Sequence, residues 1–149
     1  MKILDLNFFS PKVIASYLLE SDEGPVLIET GPDTTFPTLK GLLKENGYEV
    51  EDVKHVFVTH IHLDHSGAAW HFAQNGSTIY VHPRGAKHLI NPEKLLASAK
   101  MIYKDQMDEL WGNTEPIDED RVVPLEDGQT VNIGNLEINA VETLSLIHI

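Results

Sequence analysis

The chain has 149 residues, a formal net charge of -12 and no cysteine. That length suits one ordinary domain with a real core, and the acidity disfavours nucleic acid as a partner, because neutralising phosphates needs a surplus of Lys and Arg. The missing thiols exclude disulfides and thiolate metal sites, so a bound cation must draw on His, Asp, Glu or solvent.

The N-terminal "MKILDLNFFS" has neither a long apolar core nor a small-residue cleavage site, so it reads as a first strand and not as a leader. No stretch approaches the roughly 18 apolar residues of a membrane span, and with the absent cysteines this sets the expectation of a cytoplasmic protein without membrane contact. The apolar runs "KILDLNFF", "VIASYLLE" and "PVLIET", the last two separated by "SDEG", predict an antiparallel meander. Beyond Gly31 the period changes: Pro37 suits a helix start, Phe36, Leu39, Leu42 and Leu43 share one face, and Gly47 ends it. A strand "HVFVT" follows, then a short helical period at Ala68, Ala69, Phe72 and Ala73, then a strand "STIYVH". "NPEKLLASAKMIYKDQMDELWG" predicts one long helix, with Asn91 as cap, Pro92 in the first turn, Leu96, Ala99, Tyr103, Met107 and Leu110 at spacings of three and four, and Gly112 as stop. After an acidic loop, "RVVPLEDGQTVNIGNLEINAVET" predicts two or three short strands with turns at "EDG" and "IGN". No repeat, low-complexity tract or linker interrupts this order, and the class is α/β (α+β).

The chemistry concentrates in "VFVTHIHLDHSG", residues 56 to 67, where a buried strand runs out into a loop. His60 and His62 lie two apart, so in extended chain their imidazoles leave on one side and can grip one cation. Asp64 and His65 follow where the chain bends into a helix and can hold a second. Two divalent ions roughly 3.5–4 Å apart can share a water, lower its pKa and polarise a carbonyl or phosphoryl oxygen. Imidazole and carboxylate donors favour zinc, with iron or manganese also suited. A lone histidine at a strand end is usually a solvated side chain; four such donors in six positions point instead to metal.

Other candidates carry less. Glu29 ends a strand before Thr30 and Gly31, where a carboxylate could orient a ligand histidine or simply mark a turn. His55, His71, His82 and His88 are expected to be surface or structural, Trp70, Phe72 and Trp111 to be core or interface, and Arg84 to be a solvated charge.

"THIHLDHSGA" resembles the signature of the metallo-β-lactamase fold hydrolases, in particular their glyoxalase II-like branch, and "LIETG" is similar to a second mark of that family, with Glu29 where Asp is commoner. "VHPRGAKHL" and the helix after it add to the likeness, which spans most of residues 13 to 143. The resemblance implies the N-terminal part of a four-layered αββα sandwich, with His60 and His62 as ligands of a first metal, Asp64 and His65 of a second, and Asp64 as catalytic base. It implies a metal-dependent hydrolase that attacks a small-molecule ester, thioester, lactone or related acyl substrate with metal-bound hydroxide, holding two zinc ions. The alternatives are a mononuclear-iron sulfur dioxygenase-like oxidoreductase and a non-catalytic binding module on the same fold.

Members of that family carry a further histidine, often in a Thr-Pro-Gly-His turn, then a bridging aspartate and a last histidine. Here "AVET" at 140 to 143 is followed by "LSLIHI", with His148 two positions beyond the expected spot and given no ligand role. Those six residues match one reading frame of the transposon end used in sequencing-library adapters. Residues 1–143 are therefore expected to form a partial domain and 144–149 a non-native tail. A bare sheet face, weak metal binding and little activity are the expectations for the chain as written.

Overall fold

Three short apolar runs at the N-terminus pair as their turn signals require. The computed structural model describes residues 1–143; the expected non-native tail, with His148, lies outside the described residues. Strands β1 (Lys2–Asp5), β2 (Ala15–Ser21) and β3 (Gly24–Ile28) form the antiparallel meander, with Gly24 at φ 115° completing the tight turn into β3. From β3 onward the sheet is parallel: β4 (His55–Phe57), β5 (Thr78–Val81) and β6 (Val122–Pro124) extend it in the order β1-β2-β3-β4-β5-β6.

Parallel neighbours need crossovers, and helices supply them. Between β3 and β4 runs α1 (Phe36–Glu45), with Pro37 in its first turn, Leu39 and Leu43 buried, and Gly47 at φ 87° beyond its end. Between β4 and β5 lie α2 (Leu63–Ser66) and α3 (Ala69–Gln74). The third crossover holds α4 (Pro83–Ile90), α5 (Glu93–Tyr103) and α6 (Met107–Leu110).

That third crossover departs from the reading of the sequence twice. "PRGAKHLI" forms a helix not foreseen there, started by Pro83 and capped by His82, whose Nδ1 accepts from the Arg84 N–H at 3.1 Å. The long helix beginning at Asn91 is not continuous either. Asn91 does cap it, accepting the Glu93 N–H at 3.1 Å, but α5 stops at Tyr103, Lys104 turns to φ 51°, and a short 3₁₀ turn precedes α6. Ala99 is the only buried residue on α5 and none is buried on α6. A helix with so little core to hold it straight is free to break.

Because side chains alternate across a strand, the sheet has two distinct faces. One, with Leu18, Leu27, Val56 and Ile79, packs on Leu39 and Leu43 of α1, Phe72 of α3 and Leu89 of α4 in the main core. The other, with Val26, Phe57 and Tyr80, is covered by a separate antiparallel hairpin, β7 (Thr130–Ile133) and β8 (Leu136–Asn139), whose Ile133 is 1% exposed. Asn135 in its turn accepts the Asp22 N–H at 3.1 Å, which ties the hairpin to the β2–β3 turn. The expectation of a bare second face is thus corrected: the hairpin starts a second β layer, leaving Leu19, Ile28, Val123 and Ile138 half-buried.

Candidate metal centre

The parallel pairing of β3, β4 and β5 brings their carboxyl ends to one edge, where open α/β sheets bind their ligands. Glu29, His60 and His82 all lie just past those ends. The chain leaves β4 through Val58, whose N–H still reaches the Tyr80 carbonyl at 2.9 Å, and then folds back into α2. His62 is the residue before that helix, and its carbonyl accepts the Ser66 N–H at 2.9 Å. Gly67 is required there, since a Cβ would strike the Leu63 carbonyl and the Pro32 backbone.

These turns gather the motif. The His60 ring centroid lies 4.8 Å from that of His62 and 4.0 Å from that of His65. Asp64 Oδ2 is 3.2 Å from His65 Nε2, and Glu29 Oε2 is 3.3 Å from His65 Nδ1. Glu29 is buried at φ 63°, and its Oε1 accepts the Thr59 N–H at 3.0 Å. One carboxylate therefore connects the end of β4 to the last histidine of the motif. Thr30 completes the hold, donating its N–H and its hydroxyl to the His65 carbonyl at 2.8 and 3.0 Å.

The charges respond accordingly. Contact with Asp64, then with Glu29, pushes His65 up to about 10. The same contact with His65 holds the Asp64 carboxyl below its usual range. Burial, followed by the adjacent His65 and His62 rings, keeps His60 below the ordinary histidine value.

Whether this set suits a divalent ion turns on donors and geometry together. Among the described residues no group of three or more His, Asp or Glu side chains is drawn into a ready-made cage, because Asp64 and Glu29 are committed to His65. The donor types nonetheless fit: three imidazoles and a carboxylate, with Glu29 Oε2 buried and lacking a hydrogen bond of good geometry. A cation that takes the Asp64–His65 contact apart would find nitrogen and oxygen donors already within one loop.

The remaining candidates separate cleanly. His55 Nδ1 meets the Tyr80 hydroxyl at 3.0 Å. His71 is sandwiched between Phe36 and Trp70, at centroid distances of 3.7 and 3.6 Å, and its Nε2 donates to Asp33 Oδ1 at 2.7 Å. His82 caps α4, Phe72 is fully buried, and Trp111 stacks on Phe8 at 5.6 Å. Arg84 is exposed and, with His88, lines a cavity of about 720 Å³ that also reaches His60. A second cavity, of about 360 Å³, opens beside His62 and Asp64. Asp33 carries no distinctive spacing in the sequence, where an aspartate after a strand is common, and Thr30 stands out there only as part of "LIETG".

The family model of the metallo-beta-lactamase superfamily matches residues 10–149. An N-acyl homoserine lactonase from Bacillus sp is 32% identical over 34% of this chain and 30% of its own length. Among solved structures, a metallo-beta-lactamase family protein from Thermus thermophilus superposes with a TM-score of 0.73 at 20% identity, covering 94% of this chain and 50% of that one. BJP-1, a subclass B3 metallo-beta-lactamase of Bradyrhizobium japonicum, gives a TM-score of 0.68 at 20% identity, covering 95% and 50%. The chain thus spans about half the length of these solved structures, and the lactonase match covers less than a third of that enzyme.

Proposed function

The chain belongs to the metallo-beta-lactamase superfamily, and from that premise we propose that the whole protein is a metal-dependent hydrolase acting on a small molecule with an ester, thioester, lactone or related acyl carbonyl. One observation carries the reading: at the carboxyl edge of the parallel strands, His65 and His62 lie with ring centroids 4.0 and 4.8 Å from His60, with Asp64 alongside. The lactonase among its relatives supports the acyl class.

His60 and His62 would hold a first divalent ion and Asp64 and His65 a second, with zinc favoured by the donors and iron or manganese compatible. When bound, such ions supply Lewis acidity, polarising the carbonyl and bringing the pKa of a water towards neutrality. The rest falls to the chain's own residues. Glu29 and Thr30 fix His65 from two sides, so its ring keeps one orientation. Asp64, in the same turn as His65, would take the proton of the attacking water.

The test is metal analysis of the full-length protein together with hydrolysis of a series of acyl esters and lactones. About two zinc-like ions per chain are expected, and His60→Ala or Asp64→Ala should each lower kcat/KM by roughly a hundredfold or more. Residues 1–149 alone should bind metal weakly and turn over little. Failure of the full-length protein to take up divalent metal would sink the proposal, and a single redox-active iron with oxygen-dependent turnover would replace it by an oxidoreductase.

A further inference from the structure

The loop after β3 does two jobs at its two ends. Its first residues, Glu29 and Thr30, hold His65. Three residues on, Asp33 makes a second junction that the hydrolase reading leaves unused. Its Oδ1 accepts from His71 Nε2 at 2.7 Å and its Oδ2 accepts the Asn113 N–H at 2.9 Å. Next to it, the Thr34 hydroxyl donates to the Leu110 carbonyl at 2.8 Å. Gly112, at φ 69°, lets the turn after α6 press on Asp33 so closely that a Cβ there would collide with the carboxylate. His71 cannot swing away, because Phe36 and Trp70 stack on both of its faces. Asp33 therefore fastens the Leu110–Asn113 turn to a rigid anchor on α3.

The fastened turn carries Trp111, and Trp111 walls the cavity of about 360 Å³ beside the motif. Leu95, Ala99 and Tyr103 from α5 line the same space, with His62 and Asp64 on its motif side. Such a volume is of the size that small ligands occupy, with mostly apolar walls and a few polar groups at one end. Trp111 contributes its ring to that wall, stacked on Phe8 and edge-on to Tyr103.

We propose that this cavity receives the apolar acyl side of the substrate, and that Asp33, with Thr34, is a positioning residue that sets its Trp111 wall. The inference rests on the hydrolase reading for the nature of the ligand, but not for the existence of the cavity. α5 and α6 bury little of themselves, so the Leu110–Asn113 turn depends on the Asp33 junction, together with the packing of Trp111 on Phe8 and Tyr103, to stay in register with the motif.

The experiment is a calorimetric titration of the full-length protein, as purified with its metal, with two neutral probes: octanamide, a carbonyl with an apolar tail, and acetamide, the carbonyl alone. Octanamide should bind at least about tenfold more tightly, since only its tail can occupy the cavity. Ala99→Leu, which fills the space, should remove that preference. Asp33→Ala should weaken octanamide by roughly tenfold while leaving acetamide alone, and Asp33→Asn, which keeps one acceptor, should restore part of it. Thr34→Val removes only the bond to Leu110 and is expected to cost about threefold, which keeps the test available if Asp33→Ala folds poorly. Equal binding of the two probes, or octanamide binding unchanged in both Ala99→Leu and Thr34→Val, would overturn the proposal, and so would a loss in Asp33→Ala that falls equally on both probes. Because the titration reads binding and not turnover, absence of hydrolysis by the full-length protein would count against the reaction and not against the cavity.

Discussion

A single carboxylate does most of the arranging at the motif. Glu29 sits at φ 63°, a conformation uncommon outside glycine, and persists there because its side chain is committed at both oxygens, to the Thr59 N–H and to His65. Glu29→Ala removes both contacts and should lower divalent-metal affinity by about ten- to a hundredfold, the usual cost of losing a group that orients a ligand histidine. Glu29→Gln still accepts the Thr59 N–H but loses its charge towards His65, so an intermediate loss is expected. Zinc competition against a chromophoric chelator measures both; variants that bind like the parent would reduce Glu29 to a fold residue.

His55 gives a residue-scale prediction free of the metal question. Its ring is half-buried against Tyr80, and burial, only partly offset by Glu23, lowers its pKa from 6.5. The folded state therefore resists protonation more than the unfolded chain does. Well above pH 6.5 the residue contributes nothing to pH dependence; as the pH falls through that value the unfolded state gains the proton first and stability drops. Urea unfolding at about pH 7.5 and about pH 5.5, on either side of the ordinary histidine value, should show a smaller acid loss in His55→Gln than in the parent. Parallel pH profiles for the two proteins would count against this assignment.

At the scale of elements, the strongest local departure is Lys104, where φ 51° and ψ −118° separate α5 from α6. Lys104 is exposed, so no contact of its side chain compensates the backbone strain. Lys104→Gly should therefore stabilise the protein by about 1 kcal/mol, read as a higher urea midpoint with an unchanged slope. Restoring a continuous helix should not be achievable by propensity alone, because Met101 and Ile102 are 75% and 72% exposed and offer no core contact.

This same region shows where sequence reading stops. Strands and helices whose apolar period is buried were legible: β2 and β3 from their runs, α1 from Leu39 and Leu43, β5 from "STIYVH". That His60, His62, Asp64 and His65 lie close together was legible too, because four polar side chains within six positions at a strand end have little room to separate. Between Asn91 and Gly112 the period continues but the burial does not, and a pattern of residues cannot reveal that the face it predicts has nothing to pack on. The contacts of Glu29 with Thr59 and of Asp33 with Asn113 join residues 30 and 80 positions apart, a separation over which neither spacing nor composition carries information.

For the molecule as a whole, the hairpin β7–β8 decides how the second face of the sheet is kept from water. Val26, Phe57 and Tyr80 present a row of large apolar groups on that face, and Ile133, 1% exposed, is the hairpin residue most deeply set against them. An isolated two-stranded hairpin is marginal in water, so its stability must come from this packing and from the Asn135 bond to Asp22. Ile133→Ala should thus cost more than the loss of methyl groups alone: about 2–5 kcal/mol from the cavity, with the hairpin loosening and exposing Phe57 and Tyr80. The distinguishing readout is a rise in binding of a dye that reports exposed apolar surface, seen at temperatures well below the unfolding transition. Leu39→Ala in α1, on the opposite face, should destabilise by a similar amount without that rise, since the helix layer there does not depend on one side chain. Equal dye binding in the two variants would mean that the hairpin holds its place without Ile133 and that the sheet's second face is protected by other contacts.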